Sequence, residues 1–420
     1  MTTAHGIQHL YVAGLAVSYP FVVAQFHVSY AVLGAVLTVS GVLGGVLQGS
    51  AGLARRASTA VMLVGQNAGM ACASLLGAIA PGFGVFSGAR ILGSVTSWPQ
   101  HPVGSAYLAR RFPHRRASVL SWHVAGGSAG TVVAPLLVST LIGVAGWRWA
   151  LAALGAALAA GGLLVRLALP PEAATSPPGK DAPPGDPAGD TALAGGAAQS
   201  PPPPARLHEL LRRPEVAAVL AASSIAAGGR GLGTLTTYIP AYLRSGLHMP
   251  ALTVGALFTV IMAAGIAGPL VAGSLADRFG RARTLVLTYL AGAVALLWFG
   301  FTGQDLAALV ILGICVGFLA YAESPLLQSV FSDLAGHAAG SREGRGGQGG
   351  GGQADRGHAR SAFGAYFAIA YGVGALWNAV IGWIVTAAGF GAAFAVMAAS
   401  FAASAAIIAA FAGDRRRKPA

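Results

Sequence analysis

The sequence predicts an all-α polytopic membrane protein whose twelve transmembrane helices form two pseudo-symmetric six-helix bundles. The first observation is composition: 55% of the 420 residues are hydrophobic and only 9% are charged, too few charges to keep a soluble protein of this size in solution. The second is that the apolar runs are continuous for about 20 residues, as in spanning helices, whereas membrane β-barrel strands alternate over about ten. The third is a proline-rich stretch that divides the runs into six and six.

Twelve segments of spanning length follow one another along the chain, and they are numbered below in chain order. They occupy residues 7–27, 30–53, 59–80, 83–108, 117–141, 147–168, 214–243, 252–275, 284–302, 306–333, 360–387 and 390–412.

A long stretch between segments 6 and 7 separates two predicted domains. Residues 170–212 are rich in Pro, Gly and Ala and include the run from Pro201 to Pro204. Such a composition cannot form a packed core, so a disordered cytoplasmic linker is predicted there. The linker joins an N-terminal six-helix bundle, residues 1–169, to a C-terminal bundle, residues 213–413.

Two further stretches are also predicted to be cytoplasmic. Residues 336–358 contain a run of glycines and no apolar segment, which predicts a flexible loop. Residues 414–420 form a basic tail after the last segment.

The distribution of Lys and Arg predicts the orientation in the membrane. If both termini are cytoplasmic, all 26 basic residues except Arg90, Arg148, Arg230 and Arg244 fall on the inner side. This asymmetry is the one that sets topology in membranes. It predicts a multi-pass protein with both termini in the cytoplasm. The excess of Arg over Lys, with many Ala, Gly and Pro residues, is typical of a GC-rich bacterial genome, so the expected location is the cytoplasmic (inner) membrane of a bacterium. The asymmetry also explains the net charge of +13 by contact with anionic lipid, with no nucleic-acid partner.

The two halves of the chain repeat short patterns. The stretch GAVLTV that begins at Gly34 in segment 2 matches GALFTV that begins at Gly255 in segment 8. In segments 4 and 10, a glycine (Gly93 and Gly317) precedes a proline (Pro102 and Pro325) at a similar distance. Two repeated six-helix halves are typical of secondary transporters, with the binding site at the interface between the repeats.

The loop between segments 8 and 9 reads GSLADRFGRAR from Gly273 to Arg283. It resembles the loop signature of the major facilitator superfamily, G-x-L-a-D-R-x-G-R, and this resemblance implies an inner-gate motif. The motif residues are Gly273, Asp277, Arg278, Gly280 and Arg281. Physically, glycines permit a tight turn, and an aspartate at position 277 caps a helix start or pairs with a neighbouring arginine. In the first half, Arg55 stands where the signature has aspartate.

A narrower resemblance covers segments 4 and 5. His101-Pro102 is followed by Gly126-Gly127, Gly130 and Pro135, which is similar to the pattern of the fosmidomycin-resistance efflux group of the same superfamily. The resemblance implies efflux of a small compound. Small residues four apart, as at Gly126 and Gly130, also predict a close approach of two helices.

Few ionisable residues lie within the segments, and each is a functional candidate because charge is costly in the membrane. They are Arg90 and His101 in segment 4, His123 in segment 5, Arg230 in segment 7 and Glu323 in segment 10, with His5 and His9 near the start of segment 1. In the superfamily, segments 1, 4, 7 and 10 line the central cavity. The resemblance therefore implies that these charges face the transported solute.

Helical spacing adds polar neighbours to these charges. Arg90, Ser94, Ser97 and His101 fall on one face of segment 4, and Ser223, Arg230, Thr234 and Thr237 share a face of segment 7. Prolines at residues 99, 102 and 325 predict breaks in segments 4 and 10, which point to the binding site. The predicted substrate-binding residues are Arg90, Ser94, Ser97, His101, Arg230, Thr234, Tyr321 and Gln328.

Proton coupling is assigned to Glu323 and His101. A carboxyl group in a cavity can exchange a proton between states, and histidine titrates near neutral pH. Structural alternatives stay open: Arg230 paired with Glu323 simply to hold helices together, Arg90 in a structural ion pair or reaching to the interface, and His101 bonded to a carbonyl freed by proline.

No metal and no cofactor are predicted. His5 and His9 are four residues apart, a spacing that can hold a metal on a helix, but no nearby Cys, Asp or Glu completes a ligand set. No nucleotide-binding motif occurs, so a proton gradient is the expected energy source.

The sequence therefore predicts a transporter, not an enzyme, that moves a small and anionic organic solute or drug by proton-coupled efflux. Two arginines over one glutamate favour an anion, since arginine binds carboxylates and phosphonates bidentately. The alternative is proton-linked uptake of an organic anion; a channel or an intramembrane enzyme is more remote. The expected partners are the solute, protons and the bilayer, and the expected state is a monomer.

Overall fold

The computed structural model describes residues 1–49, 58–169, 213–340 and 351–417. Within these ranges the regular structure is helical throughout, and no strand is present. Continuous helices satisfy every backbone hydrogen bond internally, which is required of a chain that crosses lipid. The all-α fold predicted from the apolar runs is confirmed.

Thirteen α-helices make up the described part of the chain. They are α1 (Thr2–Phe26), α2 (Tyr30–Gly49), α3 (Thr59–Ala78), α4 (Phe83–Thr96), α5 (Ser105–Arg111), α6 (Arg116–Ala145), α7 (Trp147–Ala168), α8 (Pro214–Ala226), α9 (Thr236–Ala241), α10 (Ala251–Phe279), α11 (Arg281–Phe301), α12 (Leu306–Gly340) and α13 (Gly351–Arg417). Three π-helical turns, Gln100–Gly104, Gly231–Leu235 and Tyr242–Gly246, and a 3₁₀ turn, Pro113–Arg115, complete them.

Nine helical stretches in the described ranges are long and apolar enough to cross a membrane. The ninth, Gly372–Phe411, contains parts of predicted segments 11 and 12, which meet at Gly389, where the backbone is not helical. Segments 4 and 7 fall short of spanning length because each is divided into shorter helices. The count of twelve spans is therefore only partly confirmed.

The break in segment 4 follows from its prolines. Helix α4 ends at Thr96, and the π-helical turn Gln100–Gly104 with Pro102 inside it precedes α5. A proline removes a backbone donor and clashes with the preceding turn, and π-helical turns occur often at functional sites. The predicted break in this segment is confirmed.

The break in the second half lies in segment 7 rather than in segment 10. Helix α12 continues through Pro325, whereas α8 ends at Ala226 and Arg230 is extended, with φ −68° and ψ 134°. Four glycines among residues 228–233 explain this difference, because glycine is the residue that least favours a helix interior after proline. Gly233, at φ 138°, adopts a backbone conformation that other residues avoid.

The described residues form two compact units. Of the described residues, 1–15, 43–49 and 58–169 belong to the N-terminal unit, and 16–42, 213–340 and 351–417 belong to the C-terminal unit. Residues 16–42, assigned to the first bundle from the sequence, therefore have their contacts with the second half of the chain. Thr38 in α2, for example, donates to the carbonyl of Ala375 at 2.8 Å.

The two predicted polar stretches have different outcomes. The linker, 170–212, lies outside the described residues. In the loop predicted at 336–358, α12 extends to Gly340 and α13 begins at Gly351. Helix therefore replaces both ends of that loop, although glycine is the commonest residue there.

The inner-gate motif forms the turn between α10 and α11. Gly280 has φ 90°, and its amide donates to the carbonyl of Ala276 at 2.9 Å, which ends α10. Asp277 is exposed within α10 rather than at a helix start, so it does not cap α11. Arg281 reaches across to the carbonyl of Ser329 at 3.4 Å. The motif thus fixes a tight turn and attaches it to α12.

Within the N-terminal unit, α1 and α6 pack backbone to backbone. A Cβ at Gly130 would collide with the carbonyl group of Gly6, and one at Gly126 would lie 2.8 Å from the carbonyl oxygen of Thr2. Side chains larger than hydrogen cannot enter such a contact, as in other small-residue helix pairs. The close approach expected of these glycines is confirmed.

We predict that Gly130→Ala lowers the thermal unfolding midpoint of the detergent-purified protein. Its Cβ must displace the backbone of α1, and overpacking of this kind costs about 1–3 kcal/mol. Gly143→Ala in the same helix is the matched control, because its Cβ meets nothing within 4 Å and alanine gains up to about 1 kcal/mol in helix propensity. Equal midpoints for the two variants would contradict the packing described.

Candidate functional site

Arg230 and Glu323 form a buried ion pair in the C-terminal unit. The Nε atom of Arg230 lies 2.9 Å from Oε2 of Glu323, and its Nη2 donates to Oε1 at 3.1 Å. This is the bidentate geometry in which arginine binds carboxylates most strongly. Glu323 is fully buried and Arg230 is 4% exposed.

Further hydrogen bonds surround both charges. Nη2 of Arg230 also donates to the carbonyl and the hydroxyl of Ser223, at 2.8 and 3.0 Å. Tyr289 in α11 donates its hydroxyl to Oε1 of Glu323 at 2.9 Å. A buried ion pair tolerates the loss of water only when such bonds satisfy its remaining donors and lone pairs. The four side chains therefore act as one network.

The break in segment 7 makes this network possible. Residues 223 and 230 lie on opposite sides of the break, and the guanidinium group of Arg230 folds back to the end of α8. The spacing predicted that Ser223 and Arg230 share one face of a helix. They do not, because the helix ends between them. Gly374 also lies beside the guanidinium group, where a Cβ would be in ordinary van der Waals contact with Nη1, at 3.7 Å.

The other predicted residues of segments 7 and 10 are held by neighbours in the same unit. Thr234 is buried and donates to the carbonyl of Ala227 at 2.9 Å. The hydroxyl of Tyr321 lies 3.1 Å from Oγ1 of Thr236, and Gly231 and Gly265 pack against its ring. Gln328 donates to the hydroxyl of Ser324 within α12 at 3.1 Å.

Arg90 lies in the N-terminal unit, where it is half-buried on α4. With Tyr11, Ser74 and Phe86 it lines a cavity of about 10 Å³, which holds about one water molecule. This cavity is too small for an organic solute.

The serines predicted beside Arg90 bond to the backbone or approach a neighbouring helix. The hydroxyl of Ser97 donates to the carbonyl of Ser94 at 2.8 Å, and the carbonyl of Ser97 accepts from Gln8 at 3.2 Å. The hydroxyl of Ser94 faces Gly44 in α2, where a Cβ would lie 2.7 Å from it. Helix α4 ends between these serines, so the single polar stripe predicted along segment 4 stops at Ser97.

His101 meets the histidines of α1 in the N-terminal unit. Its ring centroid lies 5.3 Å from that of His5 and 5.8 Å from that of His9. His5 also stacks on His123 of α6, with 4.1 Å between centroids. Among the described residues, no carbonyl accepts a hydrogen bond from His101, so its suggested role as partner of a carbonyl freed by proline is not observed. Four histidines from three parts of the sequence form one cluster.

Sequence reasoning missed two features of these sites. Tyr289 was not singled out, although a hydroxyl group in the apolar segment 9 is itself a signal of a buried partner. His123 was named only as an ionisable residue of segment 5, since nothing in its local sequence indicates that α1 lies against α6 there. The glycines of α6 were the available signal for this contact. They predict that another helix packs closely against α6, but they do not indicate which helix it is.

We predict strong coupling between Arg230 and Glu323 in a double-mutant cycle. Arg230→Met or Glu323→Gln alone leaves one buried group unpaired and lowers the free energy of unfolding by about 3–5 kcal/mol. The double variant removes both charges and recovers most of that loss.

The cycle is measured by denaturant unfolding of the detergent-purified protein. Tyr289→Phe is the control that keeps both charges, and it costs about 1.5–3 kcal/mol, the usual contribution of a hydrogen bond to a charged group. Additive losses in the double variant would show that the pair contributes no interaction energy.

Comparisons with known proteins agree with this fold. Residues 1–344 match the model of the Major Facilitator Superfamily. A comparison with curated proteins finds no match.

Two kinds of solved transporter structure have a similar fold. The crystal structure of the nucleoside transporter NupG superposes with a TM-score of 0.69 at 14% identity, covering 99% of this chain and 98% of the other. A bacterial homolog of the human lysosomal transporter Spinster, inward-facing and unoccupied, has a TM-score of 0.69 at 14% identity, with 98% and 94% covered. At this identity the likeness concerns the fold. The superfamily model covers most of the sequence, and the chain belongs to the Major Facilitator Superfamily.

Proposed function

We propose that this protein is a secondary active transporter that moves a small, anionic organic solute across the bacterial cytoplasmic membrane by alternating access. The proposed direction is proton-coupled efflux, with both termini in the cytoplasm and the monomer as the working unit. The observation that carries the proposal is the Arg230–Glu323 pair. Among the described residues, Glu323 is the one buried acidic side chain. It pairs with Arg230 at the break in segment 7, and the chain belongs to a superfamily of transporters.

Glu323 is proposed as the proton carrier because its charge is held by neighbours that a conformational change can remove. Arg230 and Tyr289 both bond to it here. While these bonds persist, both charges have partners. Opening of the helix break would withdraw Arg230 and leave Glu323 as a buried carboxyl group without its cation, which is the arrangement proposed to take up a proton. Alternation between the two arrangements would couple proton exchange to solute movement.

An anionic solute is favoured by the charges of the N-terminal half. No Asp or Glu occurs before Glu172, whereas Arg90 lies within segment 4. The spanning part of this half therefore carries only basic fixed charges, and a field of one sign concentrates ions of the opposite sign. Ser94, Ser97 and His101 are proposed to add hydrogen-bond donors for the same solute, and Thr234, Tyr321 and Gln328 those of the second half.

Uptake of an organic anion with protons is the second candidate, since the same charges serve either direction. A ligand screen of the purified protein should also include nucleosides, because one structural relative is a nucleoside transporter. Nucleosides are uncharged, so they also test whether the solute is an anion. The fosmidomycin-group resemblance adds phosphonates. The proposed function is transport, so no catalytic site is proposed.

We predict that phosphonates or carboxylates raise the thermal unfolding midpoint of the purified protein more than nucleosides or cationic drugs do. Arg90→Gln is expected to lower the apparent affinity for the stabilising anion at least about tenfold, because a charge-assisted bidentate contact is lost. Arg110→Gln, on an exposed basic turn, is the control and should leave affinity unchanged. Stabilisation by cations alone would contradict an anionic solute.

We also predict that the double variant Arg230→Met/Glu323→Gln separates exchange from coupling. In proteoliposomes it should support counterflow of the labelled anion identified by the screen, yet fail to accumulate that anion under an imposed pH gradient. Tyr289→Phe keeps both charges and should retain gradient-driven accumulation. Accumulation by the double variant at the wild-type level would remove Glu323 from proton coupling.

A further inference from the structure

The four histidines of the N-terminal unit form a cluster of which the transport proposal uses only His101. They come from α1 (His5 and His9), from the π-helical turn Gln100–Gly104 (His101) and from α6 (His123). One ring nitrogen from each of His5, His9 and His101 lies within 4.8 Å of those from the other two. From the sequence alone, His5 and His9 lack a third ligand; the fold supplies it from more than 90 residues away.

We propose that His5, His9 and His101 bind a divalent transition-metal ion of the zinc type. Three imidazole nitrogens with one position left open is an established zinc geometry. Three nitrogens bound at about 2.1 Å stand roughly 3.4 Å apart in a tetrahedron. The observed separations reach 4.8 Å, so the rings need to close by up to about 1.4 Å. The π-helical turn that carries His101 joins two separate helices, and it offers a place for this adjustment.

Hydrogen bonds to Nδ1 of both α1 histidines fix the orientation of their rings. Nδ1 of His5 lies 2.8 Å from the carbonyl oxygen of His123. A carbonyl only accepts, so this nitrogen carries the proton in the neutral ring, and Nε2 presents a lone pair. Metal-binding histidines are usually held in this way by a carbonyl or carboxylate behind them.

His9 is oriented by the same logic through Thr131. The hydroxyl of Thr131 donates to the carbonyl of Gly127 at 3.1 Å, so its oxygen accepts from Nδ1 of His9 at 3.0 Å. Nε2 of His9 is then the free acceptor of the neutral ring. In both histidines of α1, Nε2 is therefore the nitrogen that is free to bind an ion.

Burial without partners supports a ligand at this place. His5 is 3% exposed, and its Nε2 has no hydrogen-bond partner. His123 is 2% exposed, and neither of its ring nitrogens has one. Buried polar atoms are rarely left unsatisfied, because each costs about 1–3 kcal/mol. An ion bound by Nε2 of His5, with His123 beside it, would remove part of this cost.

The site also has an approach and a reason for selectivity. His101 is exposed, so an ion reaches one ligand without opening the fold, and Gly127 keeps space for the rings, since a Cβ there would lie 2.9 Å from His5. The ligands are imidazoles and the first 171 residues contain no carboxylate. Nitrogen ligands suit zinc, copper and nickel, whereas magnesium and calcium require oxygen.

The test is direct metal binding to the full-length protein, purified without a polyhistidine tag and stripped with chelator. Zn²⁺ is titrated calorimetrically, and Co²⁺ is used for its visible absorption, which is intense in four-coordinate sites. The wild-type protein should bind one Zn²⁺ tightly and give the four-coordinate Co²⁺ spectrum, while Mg²⁺ should not compete. Absence of saturable Zn²⁺ binding would overturn the proposal.

Variants assign the ion to these histidines. His101→Gln changes an exposed ring and should weaken Zn²⁺ binding by more than the roughly 10- to 100-fold that loss of an outer partner costs. Thr131→Val, which removes only the bond behind His9, should weaken it within that range. His114→Gln, in the exposed turn Pro113–Arg115, is the control and should bind as the wild type does.

Equal Zn²⁺ affinity and an unchanged Co²⁺ spectrum in His101→Gln would also overturn the proposal. His9→Gln gives a second, independent reading, and a His9→Gln protein that unfolds leaves the decision with His101→Gln. All these readouts are of binding, so a failure here is distinct from a failure of anion transport. Metal and proton exclude each other on one imidazole nitrogen, so a confirmed site would leave Glu323 as the proton carrier.

Discussion

Exclusion of water from the spanning part of the chain is the constraint on which the rest of this structure depends. A buried charge or amide must find its partner within the protein, because lipid offers none. Arg230 and Glu323 satisfy each other, and Ser223 and Tyr289 complete their bonds. The serines of α4 bond to nearby carbonyls for the same reason. The four side chains of the C-terminal unit therefore form one hydrogen-bonded network.

Interruptions of the helices allow side-chain contacts that regular helices could not make. A straight helix would place Arg230 two turns beyond Ser223, but the glycine-rich break lets its guanidinium group return to the end of α8. The proline-containing turn Gln100–Gly104 similarly brings His101 to the rings of α1. In the described part of each unit an interrupted segment thus holds an ionisable side chain, Arg230 or His101, that sequence reasoning assigned to the solute.

Much of the fold was predictable, because apolar length and glycine spacing are local properties. The positions of α1, α3, α6 and α11 follow the predicted segments closely, and the break at residues 99–102 follows from proline chemistry. The break in segment 7 was missed because its glycines resemble those that other helices of this chain tolerate. The expected break at Pro325 was wrong, since α12 continues through it. Spacing rules assume an unbroken helix, so the stripe predicted for segment 7 failed with it.

The sequence by itself determined that this is a multi-helix membrane protein of the Major Facilitator type, and that a handful of ionisable residues lie inside its segments. Composition and loop motifs suffice for this, since they depend on neighbours in the chain. Only the tertiary structure decided which of those residues meet. Arg230 contacts Glu323, 93 residues away in the sequence, and His5 contacts His123, 118 residues away. Helix packing brings such side chains together, and their separation along the chain does not predict their distance in space.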